Sequence, residues 1–312
     1  MYIGIDVGGT NLVAGLVTPE GRIVDKMTRP THSQRDPQAI VDDLSELIRL
    51  ISSGRDIRSV GIGIPGVTDS RDGMVIRTPN MPFDGLPLAN MLDCGLPVFL
   101  GNDANAAALG EYHAGAARGA SSMVMVTLGT GVGGGIIYDG RIVEGVGGAA
   151  AEIGHMVVQR GGLLCSCGRR GCWEVYASAR ALIRMTTEAL DAHPDSVLGQ
   201  VLIGDPPKVS GRTAFIAARR GDAVARAVVD EYLDWLAEGL QNIILLLQPE
   251  VICIGGGVSG EGDALLDPLR ERVDARRFCQ GIRQTELKTA RLGNDAGLIG
   301  AAMLGHDAAT RF

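Results

Sequence analysis

The sequence predicts two mixed α/β domains, each with a partly parallel sheet, on three observations. Apolar runs bounded by glycine alternate with helical patterns along most of the chain, as alternating strand–helix architectures require. At 312 residues the chain is longer than one hydrophobic core usually spans. The order of its first half also recurs in its second, down to Gly21-Arg22-Ile23-Val24 reappearing as Gly140-Arg141-Ile142-Val143.

Tyr2 to Asp6 and Asn11 to Val17 read as strands meeting at Val7-Gly8-Gly9-Thr10, and residues 21–24 turn into a third. Asp36 to Ile51 has helical periodicity, with Asp36 as N-cap and Pro37 in the first turn. Ser59 to Ile64 is a buried strand ending in Pro65-Gly66. Leu96 to Gly101 is another strand, handing over at Asn102-Asp103 to a helix from Ala104 to Gly115. In the second half, Met123 to Leu128 and Gly135 to Tyr138 flank a glycine turn at Gly129-Thr130-Gly131-Val132-Gly133-Gly134. Asp222 to Gln248 is a long helix stopped by Pro249, and Val251 to Ile254 runs into Gly255-Gly256-Gly257. Two such halves predict a cleft between domains, with two glycine turns facing across it as a nucleotide clamp.

Composition narrows the function. The net charge of −7 argues against a nucleic-acid surface. The most apolar stretch, Ile243 to Leu247, is cut by Gln248-Pro249-Glu250 before Val251, too soon to span a bilayer. No charged leader precedes an apolar stretch and cleavage site, so a cytoplasmic protein is expected, its 6 cysteines thiols or metal ligands before disulfides. The 45 glycines show no period, and the expectation is that they sit at strand ends, in tight turns that bring backbone close to a ligand. Cys94, Cys253 and Cys279 read as buried thiols. His32, His113, His193 and His306 show no partner pattern, and Tyr232 and Trp235 read as helix packing.

Asp6-Val7-Gly8-Gly9-Thr10 offers bare amides and a hydroxyl to phosphate oxygens. Asp6 would repel those oxygens directly, so a bridging Mg²⁺ is its natural role. The other reading is a plain hairpin with glycines at positive φ. Gly129-x-Gly131-x-x-Gly134 matches a dinucleotide fingerprint in letters only, because a strand and not a helix follows it. No GxxxxGK[ST] occurs. Asn102-Asp103 lies where a parallel strand meets a helix, the edge at which open α/β sheets bind ligands. Asp103 could accept a hydroxyl proton during phosphoryl transfer and Asn102 hold a sugar hydroxyl, or one of the pair simply caps the helix.

Glu152-Ile-Gly-His155, Cys165-Ser-Cys167 and Cys172-Trp-Glu174 form the strongest local signal. Three cysteines and a histidine at this spacing suit a closed, structural Cys₃His zinc site, with Gly161, Gly162, Gly168 and Gly171 supplying the turns. Reduced thiols or a Cys165–Cys172 disulfide are the alternatives. Glu152 and Glu174 bracket the segment and could accept adjacent sugar hydroxyls, or be ordinary surface glutamates. His155 could serve zinc with one ring nitrogen and the sugar with the other.

Taken together, Asp6-x-Gly8-Gly9-Thr10, Gly63-Ile64-Pro65-Gly66, Thr78-Pro79-Asn80-Met81-Pro82, Asn102-Asp103-Ala104-Asn105, Gly129-Thr130-Gly131-x-Gly133-Gly134, the zinc segment and Gly255-Gly256-Gly257 resemble the ROK family of sugar kinases and sugar-responsive repressors, most closely its bacterial glucokinases. The resemblance runs from Tyr2 to about Gly300. It implies an actin/hexokinase-type (ribonuclease H-like) fold with domains at 1–117 and 118–295, the first completed by a helix at about 296–312. It implies Asp103 as catalytic base and sugar contacts at Gly66, Asn80, Asn102, Glu152, His155 and Glu174. Phosphate contacts fall at Gly8, Gly9, Thr10, Thr130 and Gly131, adenosine near Gly256 and Gly257, and zinc on His155, Cys165, Cys167 and Cys172. ATP, Mg²⁺ and structural Zn²⁺ are the implied cofactors, and a homodimer the implied assembly.

The implied reaction is phosphorylation of a hexose 6-hydroxyl, glucose first, because Glu152-x-x-His155 with Glu174 is similar to the glucokinase pattern. N-acetylmannosamine, fructose and allose are the alternatives within the family, and a non-catalytic sugar-binding regulator is the remote one. Repressor relatives carry a DNA-binding segment before the first glycine motif, which here begins at Ile3.

Overall fold

In the first of two five-stranded sheets, β1 (Tyr2–Val7) pairs antiparallel with β2 (Asn11–Val17), which pairs antiparallel with β3 (Ile23–Pro30). These elements belong to a computed structural model that describes residues 1–310. After α1 (Pro37–Ser52), β4 (Ser59–Ile64) returns parallel to β1. The small hairpin β5 (Val67–Asp69) and β6 (Met74–Arg77) and the short α2 (Leu88–Met91) follow. Then β7 (Val98–Asn102) pairs parallel with β4 and hands over to α3 (Asp103–Ala114). The strand order is β3-β2-β1-β4-β7. Asp36 caps α1 by accepting from the Gln38 amide, and α1 buries Ile40, Val41, Leu44, Leu47, Ile48 and Ile51, the stripe its periodicity predicts.

The second sheet is built from β8 (Ser122–Leu128), β9 (Val132–Tyr138), β10 (Arg141–Ile142), β11 (Val251–Gly255) and β12 (Glu286–Thr289). Its order, β10-β9-β8-β11-β12, is the same permutation of first, second, third, fourth and fifth strands as in the first sheet. Between β10 and β11 come α4 (Glu174–Ala177), α5 (Ala179–Ala192), α6 (Thr213–Arg219) and α7 (Ala223–Leu247); α8 (Asp263–Ala275) precedes β12. Gln248, in the left-handed region at φ 42°, ends α7 just before Pro249. The last helix, α9 (Ala296–Thr310), packs on α3, β1 and β4. Residues 311 and 312 of the helix expected to reach about 312 lie outside the described residues.

The chain divides into two compact units: Met1–Met125 with Gly135–Ala151 and the chain from Ala290, and Val126–Gly134 with Glu152–Thr289. In the first, an aliphatic core of Ile3, Ile5, Leu12, Leu16, Val60 and Ile62 is covered by α1. In the second, Trp173 is wholly buried, its indole N–H donating to the Trp235 carbonyl at 2.8 Å. Tyr232 is buried with its hydroxyl on the Ala177 carbonyl, and Trp235 stacks on Tyr176, so both residues expected to pack do so.

Many glycines lie elsewhere than expected. Gly4, Gly15, Gly61 and Gly101 are inside strands, where a Cβ would collide with α9: with the Leu298 carbonyl at Gly4 and the Ala301 carbonyl at Gly61. Gly110 and Gly300 do the same where α3 crosses α9. These glycines let a helix lie directly on a sheet and on another helix, a packing role that the sequence reading assigned to ligand turns. Cys253 is buried as expected, but Cys94 is only partly buried and Cys279 is exposed. None of the 6 cysteines is in a disulfide. No helix among the described residues is long and apolar enough to cross a membrane.

Candidate active site

In the first unit, the carboxyl edge of β4 and β7 gathers the residues expected to meet a sugar. Asn102 is the N-cap of α3: its Oδ1 accepts from the amides of Ala104 at 2.9 Å and Asn105 at 3.1 Å. The capping reading therefore holds, and it leaves the amide nitrogen to donate to the Gly66 carbonyl at 2.8 Å. Gly66 sits at φ 116°, and a side chain there would strike the Arg77 carbonyl. So Asn102, Gly66 and the segment after Arg77 are held as one piece. That segment is a turn tied by Asp84, whose Oδ1 accepts from the Thr78 amide at 2.6 Å and the Thr78 hydroxyl at 3.1 Å. Asn80 is exposed on this turn.

Asp103 opens α3 and is exposed. Asp6, at the end of β1, is largely buried, and its carboxylate lies against Gly297 in the first turn of α9. Burial first, and the negative charge of Asp103 second, push Asp6 up to about 6, against a smaller opposing pull from Lys26. The two carboxylates thus feel one another.

The turn after Asp6 is a hairpin closed by Gly8 N–H to the Asn11 carbonyl at 2.9 Å, and Thr31 braces it by donating its hydroxyl to the Gly8 carbonyl at 2.6 Å. Neither Gly8 nor Gly9 has positive φ, so the strained-hairpin explanation fails. At Gly9 a Cβ would meet nothing within 4 Å, so the protein itself leaves that space open. Gly9 and Thr10 are exposed.

In the second unit the Thr130-Gly131 turn faces Glu174, whose carboxylate occupies the space a Gly131 side chain would need. Thr130, Gly131 and Glu174 line a pocket of about 430 Å³ together with Ser178, Arg180 and Arg184. Gly256 has φ 83° and is pressed on the Leu128 backbone, so it is a structural requirement; Gly257 is open on its Cβ side.

The cysteine segment folds into one cluster. His155 Nδ1 is 3.5 Å from Cys165 Sγ, Cys167 Sγ is 3.6 Å from Cys172 Sγ, and all four donor atoms lie within 4.8 Å of one another. Tetrahedral zinc with Zn–S near 2.3 Å sets sulfurs about 3.8 Å apart, so these residues fit the ion. Burial pushes the Cys165 thiol up to about 12 and raises Cys172, while the Arg169 backbone amide lowers Cys167. The Cys165 thiol donates to Glu174 Oε1 at 3.0 Å. Gly161, Gly168 and Gly171 take positive φ as expected; Gly162 does not, and is glycine because the Tyr176 hydroxyl lies against it. Glu152 precedes the short turn Ile153–His155 and accepts the His155 amide on its carbonyl at 3.0 Å.

The family model described as ROK matches residues 2–308. This chain belongs to the ROK family. It is 39% identical to a glucokinase of Streptomyces coelicolor over 98% of each chain. It is also 39% identical to a solved ROK glucokinase of Streptomyces griseus in complex with glucose and AMPPNP, with a TM-score of 0.79 over 98% of this chain and 99% of that one. A ROK hexokinase of Thermus thermophilus is 33% identical with a TM-score of 0.82, over 100% and 99%. The fold is accordingly the actin/hexokinase type.

Within this ROK chain, sequence reasoning missed the residues that hold the site rather than form it. Asp84 ties the Asn80 turn, Thr31 braces the first glycine turn, and Arg180 and Arg184 enter the Glu174 pocket. Asp84 had a local signal, since an aspartate two residues after Pro82 suits a side-chain-capped turn. Thr31 and the arginines had none.

Proposed function

We propose that this ROK chain is an ATP-dependent glucokinase, transferring the γ-phosphoryl group of MgATP to the 6-hydroxyl of glucose. The observation that carries the reading is 39% identity over 98% of each chain with a glucokinase, supported by a relative of equal identity that holds glucose and an ATP analogue. In this reading Asp103 accepts the 6-hydroxyl proton as that oxygen attacks the γ-phosphorus. The bond from phosphorus to the β–γ bridging oxygen breaks and ADP leaves. The exposure of Asp103 at the sheet edge supports that role. Asn80, Asn102, Gly66, Glu152, His155 and Glu174 hold the sugar. Gly8, Gly9, Thr10, Thr130 and Gly131 take the phosphates, with Gly256 and Gly257 by the adenosine. Asp6 would help hold Mg²⁺, which would offset the phosphate charge.

Structural zinc belongs on His155, Cys165, Cys167 and Cys172. Cys165, ionised as a zinc ligand, would no longer donate to Glu174, whose oxygen would then be available to a sugar hydroxyl. His155 turns Nδ1 to the cysteines, leaving Nε2 for the sugar. We place the protein in the cytoplasm as a homodimer.

The test is ADP release from MgATP against glucose, N-acetylmannosamine, fructose, allose and mannose. A kcat/KM highest for glucose is expected. A higher value for N-acetylmannosamine or another sugar would move the substrate, and silence on all five would remove the kinase reading.

A further inference from the structure

We propose that His113, His306 and Asp307 form a transition-metal site in the first unit, taking Zn²⁺ or an ion of like size and softness. His113 lies in the last turn of α3, and His306 and Asp307 lie towards the end of α9, so nothing local in the sequence joins them. The sequence reading, which gave both histidines no partner, is corrected here. One carboxylate serves two imidazoles: His113 Nε2 is 3.1 Å from Asp307 Oδ1 and 3.2 Å from Oδ2, and His306 Nδ1 is 3.1 Å from Oδ1. The three donor atoms lie within 4.8 Å of one another. Nitrogen and oxygen donors at 2.0–2.2 Å from tetrahedral zinc stand about 3.4 Å apart, so small side-chain movements seat the ion.

The surroundings suit that assignment. Ring contacts fix the imidazole planes: His306 stands edge-on to Tyr2 at 5.4 Å, and His113 edge-on to Tyr112 at 5.3 Å. The side chains are 20%, 23% and 16% exposed for His113, His306 and Asp307, shielded yet reachable. Asp307 also lines a pocket of about 300 Å³ with Arg71 and Glu144, so its carboxylate can be approached from that side. Two imidazoles and a carboxylate favour zinc, nickel or copper over magnesium or calcium, which prefer all-oxygen ligands. The ion would pin α3, the helix that opens with Asp103, to α9 at the end remote from Asp103. The proposal is independent of the kinase reading and of the cysteine cluster, which belongs to the other unit.

The test is equilibrium dialysis of the full chain against micromolar Zn²⁺, read by elemental analysis as the increment over the untreated protein. Wild type gains one zinc per chain. Asp307→Asn, and the double variant His113→Gln with His306→Gln, gain none while keeping the original content, and circular dichroism checks that they fold. Should they not fold, Co²⁺ added to wild type decides: the gained ion shows visible ligand-field bands without thiolate charge-transfer absorption. A wild type that gains no ion, folded variants that still gain it, or a thiolate signature on the added Co²⁺ would overturn the site.

Discussion

Asp6 keeps its proton to about pH 6 because burial and the charge of Asp103 both oppose its ionisation. Its unfolded value is near 3.8, so between the two the native state binds more protons than the unfolded state. The resulting stabilisation is complete below about pH 4 and is lost as the pH rises through 6; a shift of two units corresponds to at most about 3 kcal/mol. Urea unfolding of the ligand-free protein across this window should show wild type losing stability relative to Asp6→Asn as the pH rises. Identical pH profiles would contradict the assignment. Asp103→Asn should also lower the Asp6 pKa, read by carboxyl NMR titration. The candidate residues were legible because each sits in a short local motif. The direction of their coupling was not, because it depends on burial and on two residues 97 apart in the sequence.

At the scale of the element, α3 is held at both ends. Asn102 caps its start, and near its end Glu111, wholly buried, accepts from the amides of Ala116 at 2.7 Å, Arg291 at 2.8 Å and Leu292 at 2.7 Å. Glu111→Ala leaves one buried and two part-buried amides without that partner and should cost about 2 kcal/mol or more in urea melts, with Glu111→Gln losing less. A change under about 1 kcal/mol in the alanine variant would show that the carboxylate does not clasp the segment before α9. The two kinds of glycine should also separate. Gly300→Ala forces the α3–α9 crossing apart and should unfold the protein or lower its Tm sharply. Gly9→Ala should melt like wild type while raising the KM for MgATP. Element boundaries moved where backbone chemistry outweighs hydropathy. β7 starts at Val98 rather than Leu96, since Pro97 has no N–H for a ladder, although its carbonyl still accepts from Val60. Similarly, β9 starts at Val132, because its glycines extend towards the N-terminus a strand that hydropathy alone began at Gly135; at Gly135 a side chain would strike Ala108.

For the whole molecule, the repeated Gly-Arg-Ile-Val and the matching order of motifs were the visible part of a duplication that the two identical sheet permutations display. The long-range ties were invisible. His113 with Asp307 and Glu111 with Arg291 join residues 194 and 180 apart, and no periodicity marks such pairs. Zinc removal belongs to this scale, because a segment with several glycine turns has little core of its own and metal binding is coupled to folding. Chelation under reducing conditions should release one zinc per chain from the cysteine cluster and lower both the Tm and the affinity for glucose, and Cys167→Ala should reproduce both effects. Full stability and binding after complete zinc loss would refute the structural role.

The decisive measurement is glucose-dependent ADP release from MgATP by wild type and Asp103→Asn, with glucose binding followed in parallel by calorimetry. With Asp103 as the proton acceptor, kcat should be lower by about 10²–10⁴ in the variant and glucose affinity largely unchanged. A variant that keeps most of its turnover would contradict it.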